Sequence, residues 1–280
     1  MRLVTRVVAV VGGVVLVAAL VLALAGGEPT TAAWVLIGPA PFYLVGVWLL
    51  RRRPDRLAGM WLLFGGVTFL INVAAGDILL PMVRDEPWAW VPSIGRLLAD
   101  NIGLAAGLAL FGLFPDGRPH RAYERWVLTV VAVAGGLLPF LHAVTHPTLA
   151  KGGFPGPDDP LLVSPFYVPA TAGAGPVIGV LNSTFTLWLV LAVLLLALRY
   201  RRIRPAERRR IRWLVLGLSG ALLTMAILTA LTFVLPAGPM MAAGFIFWPM
   251  AVVLALGSVV LAVAYDGVLG IDQPLRRSVV

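Results

Sequence analysis

The sequence predicts an all-α protein, a polytopic transmembrane helix bundle, and three observations carry the prediction. Of its 280 residues 60% are hydrophobic and 12% are charged, whereas soluble proteins have about 25% charged residues. The apolar residues form runs near the length of about 20 residues that a helix needs to cross the hydrocarbon core. The basic residues, which give a net charge of +9, cluster between those runs, as in membrane proteins.

Eight apolar runs are long enough to span a bilayer, so about eight transmembrane helices are expected within residues 1–264. The predicted spans are Val7–Ala25, Thr31–Leu50, Leu57–Gly76, Val91–Phe114, Trp126–Thr145, Gly175–Leu198, Trp213–Leu235 and Met240–Ala264. Residues 265–280 are expected to form a cytoplasmic tail, or a linker to a further domain.

The basic residues also predict the orientation of the chain. If the N-terminus is cytoplasmic, 19 of the 22 Lys and Arg residues lie on the inner side, and the outer side keeps Arg84, Arg96 and Lys151. This asymmetry favours a multi-pass protein of the plasma membrane with both termini in the cytoplasm. The inner clusters are expected to contact anionic lipids, and no nucleic acid is expected as a partner.

The first span has a second interpretation. Arg2 and Arg6 precede an apolar run that ends in Ala23-Leu24-Ala25, which resembles a signal-peptidase site. The run is longer than the usual apolar core of a signal peptide, so a retained helix is favoured. Cleavage would leave seven helices and would place only the N-terminus outside.

Two halves of the chain share short patterns. Pro54 corresponds to Pro205 and Trp61 to Trp213, at offsets of 151 and 152 residues, and the Asp-Gly pair at residues 116–117 recurs at 266–267. This spacing predicts two four-helix halves in parallel orientation. The alternative is coincidence, because inner loops are often Arg-rich and Trp is common at membrane interfaces.

Polar residues near the outer ends of three spans form a candidate sensing site. Ionisable groups within a membrane are costly, by about 2.5–3.5 kcal/mol on insertion scales, and are therefore functional candidates. Arg96 and Asp100 lie one helical turn apart on the fourth span. The full candidate set is Asp77, Arg96, Asp100, Asn101 and His142. The alternatives are an ion pair that only closes the bundle, and a headgroup position for His142.

Two further segments interrupt the regular pattern. The stretch from His146 to Ala174 contains six prolines, which predicts an irregular loop. A plain connector is favoured, and the alternative is a lid over the helix bundle. Pro39 and Pro41 lie within the second span, where proline removes helical hydrogen bonds and marks a candidate break.

A second candidate set lies at the inner surface, where it would couple helix movement to a partner. Phe114-Pro115-Asp116-Gly117 predicts a rigid helix stop. The candidate coupling residues are Asp116, Gly117, Arg118, Arg208, Arg209, Arg210, Arg212 and Asp272.

The sequence predicts no catalytic residue, metal site or cofactor. It has no cysteine and only three histidines, and it carries no phosphate-binding loop, nucleophile elbow or HExxH motif. An intramembrane enzyme is therefore the weakest of the functional hypotheses.

Three stretches carry a resemblance to a known family. They are LFPDGRP at Leu113–Pro119, AERRRIRWLVLG at Ala206–Gly217, and AVAYDGVLGIDQPLRRSVV at the C-terminal end. Together they resemble the N-terminal membrane region of actinobacterial sensor histidine kinases. The resemblance implies signal relay in a two-component system, to a kinase domain or a response regulator, and a homodimer is compatible with it.

The resemblance does not extend to the kinase chemistry. None of the histidines is placed like a phospho-acceptor, and no glycine-rich ATP lid is present. Kinase activity would therefore require a longer parent protein, so whether the protein is an enzyme stays open. The leading hypothesis is a membrane sensory or regulatory module, and the alternative is a small transporter or permease subunit, which should show broken helices near mid-membrane.

Overall fold

A computed structural model describes residues 2–52, 57–114, 118–150, 158–183, 188, 190–202, 205–232, 234 and 237–264. Within these residues the predicted all-α bundle is confirmed. Seven helices are long and apolar enough to cross a membrane, and the chain is an integral membrane protein. They are Leu3–Ala25, Pro29–Arg52, Leu57–Met82, Trp90–Gly112, Ala122–Thr145, Ile211–Leu228 and Ala243–Ala262.

The elements follow one another along the chain with short connections. The helices are α1 Arg2–Ala25, α2 Pro29–Ile37, α3 Pro39–Arg52, α4 Leu57–Val73, α5 Leu80–Met82, α6 Trp90–Gly112, α7 Ala122–Thr145, α8 Gly175–Ser183, α9 Val190–Tyr200, α10 Pro205–Thr232 and α11 Ala237–Ala264. A π-helical segment, Ala74–Leu79, joins α4 to α5, strands β1 Thr148–Ala150 and β2 Asp158–Val163 follow α7, and a 3₁₀ turn spans Pro169–Ala174.

The chain forms two compact units, Met1–Ala192 and Val193–Val280. In the first unit α4 is the central helix, and it packs against α1, α3 and α6, while α7 packs against the other side of α6. The boundary between the units does not coincide with the two predicted halves. The parallel repeat therefore stays a prediction, and Pro54 and residues 266–267 lie outside the described residues.

Glycines allow α3 and α4 to approach until their backbones touch. A Cβ added to Gly46 would lie 2.5 Å from the backbone nitrogen of Leu63, and one added to Gly66 would overlap the backbone of Tyr43. The Tyr43 hydroxyl donates a hydrogen bond of 2.7 Å to the Ala9 carbonyl on α1. Small residues drive helix association in membranes because they permit such close packing, so this contact joins the first three spans.

The second span is discontinuous, as its prolines predicted. α2 ends at Ile37, α3 begins at Pro39, and Gly38 between them has φ −91° and ψ −88°. Neither Pro39 nor Pro41 has a backbone N–H, so two hydrogen bonds of a continuous helix are missing here. Val35 and Pro39 are buried on either side of the break, which places it among neighbouring helices.

The third span is longer than predicted. It was expected to end at Gly76, but the π-helical segment and α5 carry it to Met82. Asp77 therefore lies inside a span rather than at its end. π-helical turns are rare in proteins, and many of those that occur lie at functional sites.

The predicted irregular connector after α7 contains regular structure. β1 and β2 form an antiparallel hairpin in which Thr148 is opposite Val163 and Ala150 is opposite Asp158. Prolines are tolerated in such a two-stranded sheet because both strands are edge strands. Leu162 is buried and Val163 is exposed, so this hairpin has one face on the bundle.

The sixth predicted span is described only in part. The structure has α8 and α9 within it, and residues 184–187 and 189 between them lie outside the described residues.

In the second unit α10 packs on α11 through Gly217 and Gly220, which lie against Ser258 and Leu254. The Ser258 hydroxyl donates to the carbonyl of Ala255 on its own helix, so this polar group is satisfied locally.

The Gly66 contact gives a direct test of the packing. We expect Gly66→Ala to lower stability by about 1–3 kcal/mol, the usual cost of overpacking, because the new methyl group meets the Tyr43 backbone. The thermal midpoint of the purified protein in detergent measures this. Gly136→Ala on α7 is the matched control, because a Cβ there has no neighbouring atom within 4 Å, and an equal loss in both variants would contradict the packing argument.

Candidate functional site

An ion pair joins the third and fourth spans. Nη1 of Arg96 on α6 lies 3.4 Å from Oδ1 of Asp77 in the π-helical segment, and the two side chains are 17% and 33% exposed. A charge within a membrane span is costly unless it is paired. The pairing across two helices therefore offsets the cost of both charges and fixes the two spans to each other.

The backbone beside the pair is shaped for the arginine. A Cβ added to Gly76 would overlap the Cδ, Nε and Nη1 atoms of Arg96. The arginine side chain therefore lies directly against the glycine backbone, and a larger residue at position 76 would displace it from this position. Asn72, one turn earlier on α4, donates from Nδ2 to the backbone carbonyl of Arg96 at 3.3 Å.

These contacts define the Arg96 site, which consists of Asn72, Gly76, Asp77 and Arg96. Its members come from α4, the π-helical segment and α6. The sequence indicated Asp77 and Arg96 as candidates, but it indicated Asp100 as the nearer neighbour of Arg96. In the structure Arg96 forms an ion pair with Asp77, and it also attracts the Asp100 carboxylate, which lies one turn further along α6.

Asn101 contacts α7, and His142 belongs to α7 itself. Asn101 donates from Nδ2 to the carbonyl of Gly135 on α7 at 3.3 Å. His142 is 3% exposed and its ring stacks on His146, with 4.0 Å between the ring centroids. Of the five predicted sensing residues, Asp77 and Arg96 therefore join the third and fourth spans, Asn101 joins α6 to α7, and His142 stacks on its neighbour His146.

An apolar cluster connects the end of the third span to the hairpin. We call it the cap cluster, and it consists of Leu80, Val83, Ala89, Ile94, Ala143, Leu149 and Leu162. Leu80 and Val83 follow the π-helical segment directly, and Leu149 and Leu162 belong to the two strands. The aromatic rings of Trp90 and Phe166 meet edge to face beside it, 5.0 Å apart.

The segment after β2 satisfies the open end of α7. The Ser164 hydroxyl donates to the Ala143 carbonyl, and the Val168 amide and the Thr171 hydroxyl donate to the Val144 carbonyl at 2.9 and 3.0 Å. The last carbonyls of a helix have no partner within it. These bonds therefore hold residues 164–171 on the end of α7.

The predicted coupling residues are only partly described. Arg118 and Arg212 are exposed, whereas Asp116, Gly117 and Asp272 lie outside the described residues. The backbone of residues 208–210 lies in the first turns of α10, and the side chains of these three arginines are outside the description.

Glu124 has a structural role at the start of α7, although it was not among the predicted residues. Its Oε2 accepts hydrogen bonds from the His120 and Arg121 amides at 2.7 and 3.3 Å, and it is 2% exposed. A glutamate at the third position of a helix is a recognised capping signal that the sequence displays. The buried carboxylate fixes the start of α7.

The described residues contain no group of three or more His, Cys, Asp or Glu side chains that could hold a metal ion. A shallow groove lined by Ala122, Arg125, Trp126 and Thr129 lies at the start of α7, far along that helix from His142. The Arg96 site joins the third and fourth spans through an ion pair and a hydrogen bond.

Comparison with known proteins places the chain in no family, because no family model, curated protein or solved structure matches it.

A double-mutant cycle measures the ion pair. We expect Asp77→Asn and Arg96→Gln each to destabilise the protein, and the double variant to lose less than the sum, with a coupling energy of about 0.5–3 kcal/mol. Reversible unfolding in mixed micelles gives the four free energies. Asp85→Asn removes an exposed carboxylate near the same end of the span, and its effect should add to that of Arg96→Gln. An additive Asp77 cycle would show that the two groups do not interact.

Proposed function

We propose that this integral membrane protein is a sensory or regulatory module of the plasma membrane. It relays a signal from the cell envelope or the lipid phase to a cytoplasmic partner. The Arg96–Asp77 pair carries the proposal, because it places an ion pair inside two spans and beside a π-helical segment. An ion pair in this setting has a closed and an open arrangement, and a signal that favours one of them shifts the population.

The proposed partners lie on the cytoplasmic side of the membrane. The basic inner segments, including Arg208–Arg212 in the first turns of α10, would contact anionic lipids and a kinase domain or response regulator of a two-component system. The resemblance of LFPDGRP and of the C-terminal stretch to sensor-kinase membrane regions supports this choice, and a homodimer fits it. Kinase activity would come from that partner or from a longer parent protein.

The proposed orientation predicts which loops a reagent reaches from outside. Because the chain has no cysteine, single cysteines can be read without background. We expect Asp85→Cys to react with an impermeant maleimide on intact cells and His120→Cys to react only after permeabilisation, since both positions are exposed and a span separates them. The reverse pattern would invert the topology.

The sensory role predicts a change in gene expression. In the native host, deletion of the gene should alter a defined set of transcripts, and wild type or Asp85→Asn should restore them. Arg96→Ala, at comparable membrane abundance, should fail to restore them because the guanidinium that pairs with Asp77 is gone. Unchanged transcripts after deletion, or full restoration by Arg96→Ala, would contradict a sensory role for this site.

Transport is the second candidate function, and the break at Gly38 is the observation that favours it. Discontinuous helices form substrate sites in many transporters. The break lies near the middle of the Pro29–Arg52 span. A deletion strain with unchanged transcripts but altered accumulation of a solute, restored by the wild-type gene, would favour transport over sensing.

A further inference from the structure

The Arg96 site and the hairpin are connected through one short stretch of chain. Asp77 and Gly76 lie within the π-helical segment, and Leu80 and Val83 come three to seven residues later, in the cap cluster. Leu149 and Leu162 from the two strands complete that cluster and are 0% and 3% exposed. The residues that seat the hairpin are therefore directly downstream of the residues that hold the ion pair.

The direction in which Leu80 points depends on the π-helical segment. A π-helix closes its hydrogen bonds over five residues instead of four, as in the Leu80 amide bond to the Ala75 carbonyl. Each of its turns therefore holds more residues than the 3.6 of an α-helix. A return to α-helical geometry would turn Leu80 and Val83 about the helix axis and remove them from Leu149 and Leu162.

Arg96 contacts this segment at two adjacent positions. Its guanidinium pairs with Asp77 and its side chain lies against Gly76, while its backbone carbonyl accepts from Asn72 before the segment begins. Arg96 thus contacts the middle of the π-helical segment and the α4 residue two positions before its start.

We propose that the Arg96–Asp77 pair is a latch that holds the hairpin closed over this end of the first unit. When the pair opens, the π-helical segment relaxes and the cap cluster separates, so β1 and β2 move away from the helices. The bonds from Ser164, Val168 and Thr171 to α7 hold the chain after β2 in place and form the hinge. This inference concerns the fold and does not rest on the proposed function.

Cysteine labelling of the hairpin tests the latch. Leu162→Cys places a thiol in the cap cluster, and Val163→Cys places one on the exposed face of the same strand, which is 71% exposed. With an impermeant maleimide and the full chain in nanodiscs, we expect Asp77→Asn to raise the labelling rate of Leu162→Cys about tenfold. Arg96→Gln should act alike, and Val163→Cys should label rapidly in every background.

Two controls separate a latch from general loss of structure. Asp85→Asn makes the same charge change outside the pair and should leave the Leu162→Cys rate unchanged. Leu70→Cys, at a fully buried position of α4, should stay unreactive when Asp77 is replaced. If Leu162→Cys does not fold, Leu149→Cys reports on the same cluster from the other strand.

The proposal is overturned if the hairpin thiol labels at the wild-type rate in both Asp77→Asn and Arg96→Gln. It is also overturned if Leu70→Cys becomes reactive together with it, since the pair would then support the whole unit rather than the hairpin. The transcript experiment can fail while the labelling result stands, so the two proposals are tested separately.

Discussion

The requirement to keep a guanidinium paired within a membrane span constrains the whole first unit. Arg96 needs a carboxylate at its own depth, and Asp77 is at that depth because the third span continues past Gly76 as a π-helix. The pair in turn requires α4 and α6 to lie side by side, and the absence of a side chain at Gly76 leaves the space that the arginine occupies. The Arg96–Asp77 pair therefore links the depth of the two charged residues, the π-helical geometry of the third span and the packing of α4 against α6.

The remaining contacts of the unit extend from this centre. α4 lies between α6, which carries the arginine, and α3, which approaches it at Gly46 and Gly66. On the far side of α6, Asn101 bonds to α7, and the hairpin closes the end where α6 begins. Polar contacts thus fix the helix pairs at specific positions, while apolar side chains such as Val14 and Val17 of α1 remain exposed, as suits lipid contact.

Hydropathy and charge predicted the membrane class and most of the helices, because a helix in the hydrocarbon core needs a long apolar run with few charged residues. The break at Gly38 was also predictable, since proline lacks the required N–H. The pairing of Arg96 with Asp77 was not, because helix spacing alone favoured Asp100 and no sequence pattern marks a π-helical turn. The hairpin was not predicted because its prolines indicated an irregular loop. Its packing on the helices depends on Leu149 and Leu162, which contact them only after folding. Orientation and the parallel repeat stay predictions.

The broken second span has a consequence for how the chain enters the membrane during synthesis. A helix that lacks two backbone hydrogen bonds at mid-length presents bare carbonyls to hydrocarbon, where each unsatisfied group is costly. The first and third spans shield the broken second span from lipid. Val35 packs with Leu70 and Val73 of the third span, and Tyr43 bonds to α1. The third span is made later, so release of the second span into lipid is most favourable after the translocon has received all three.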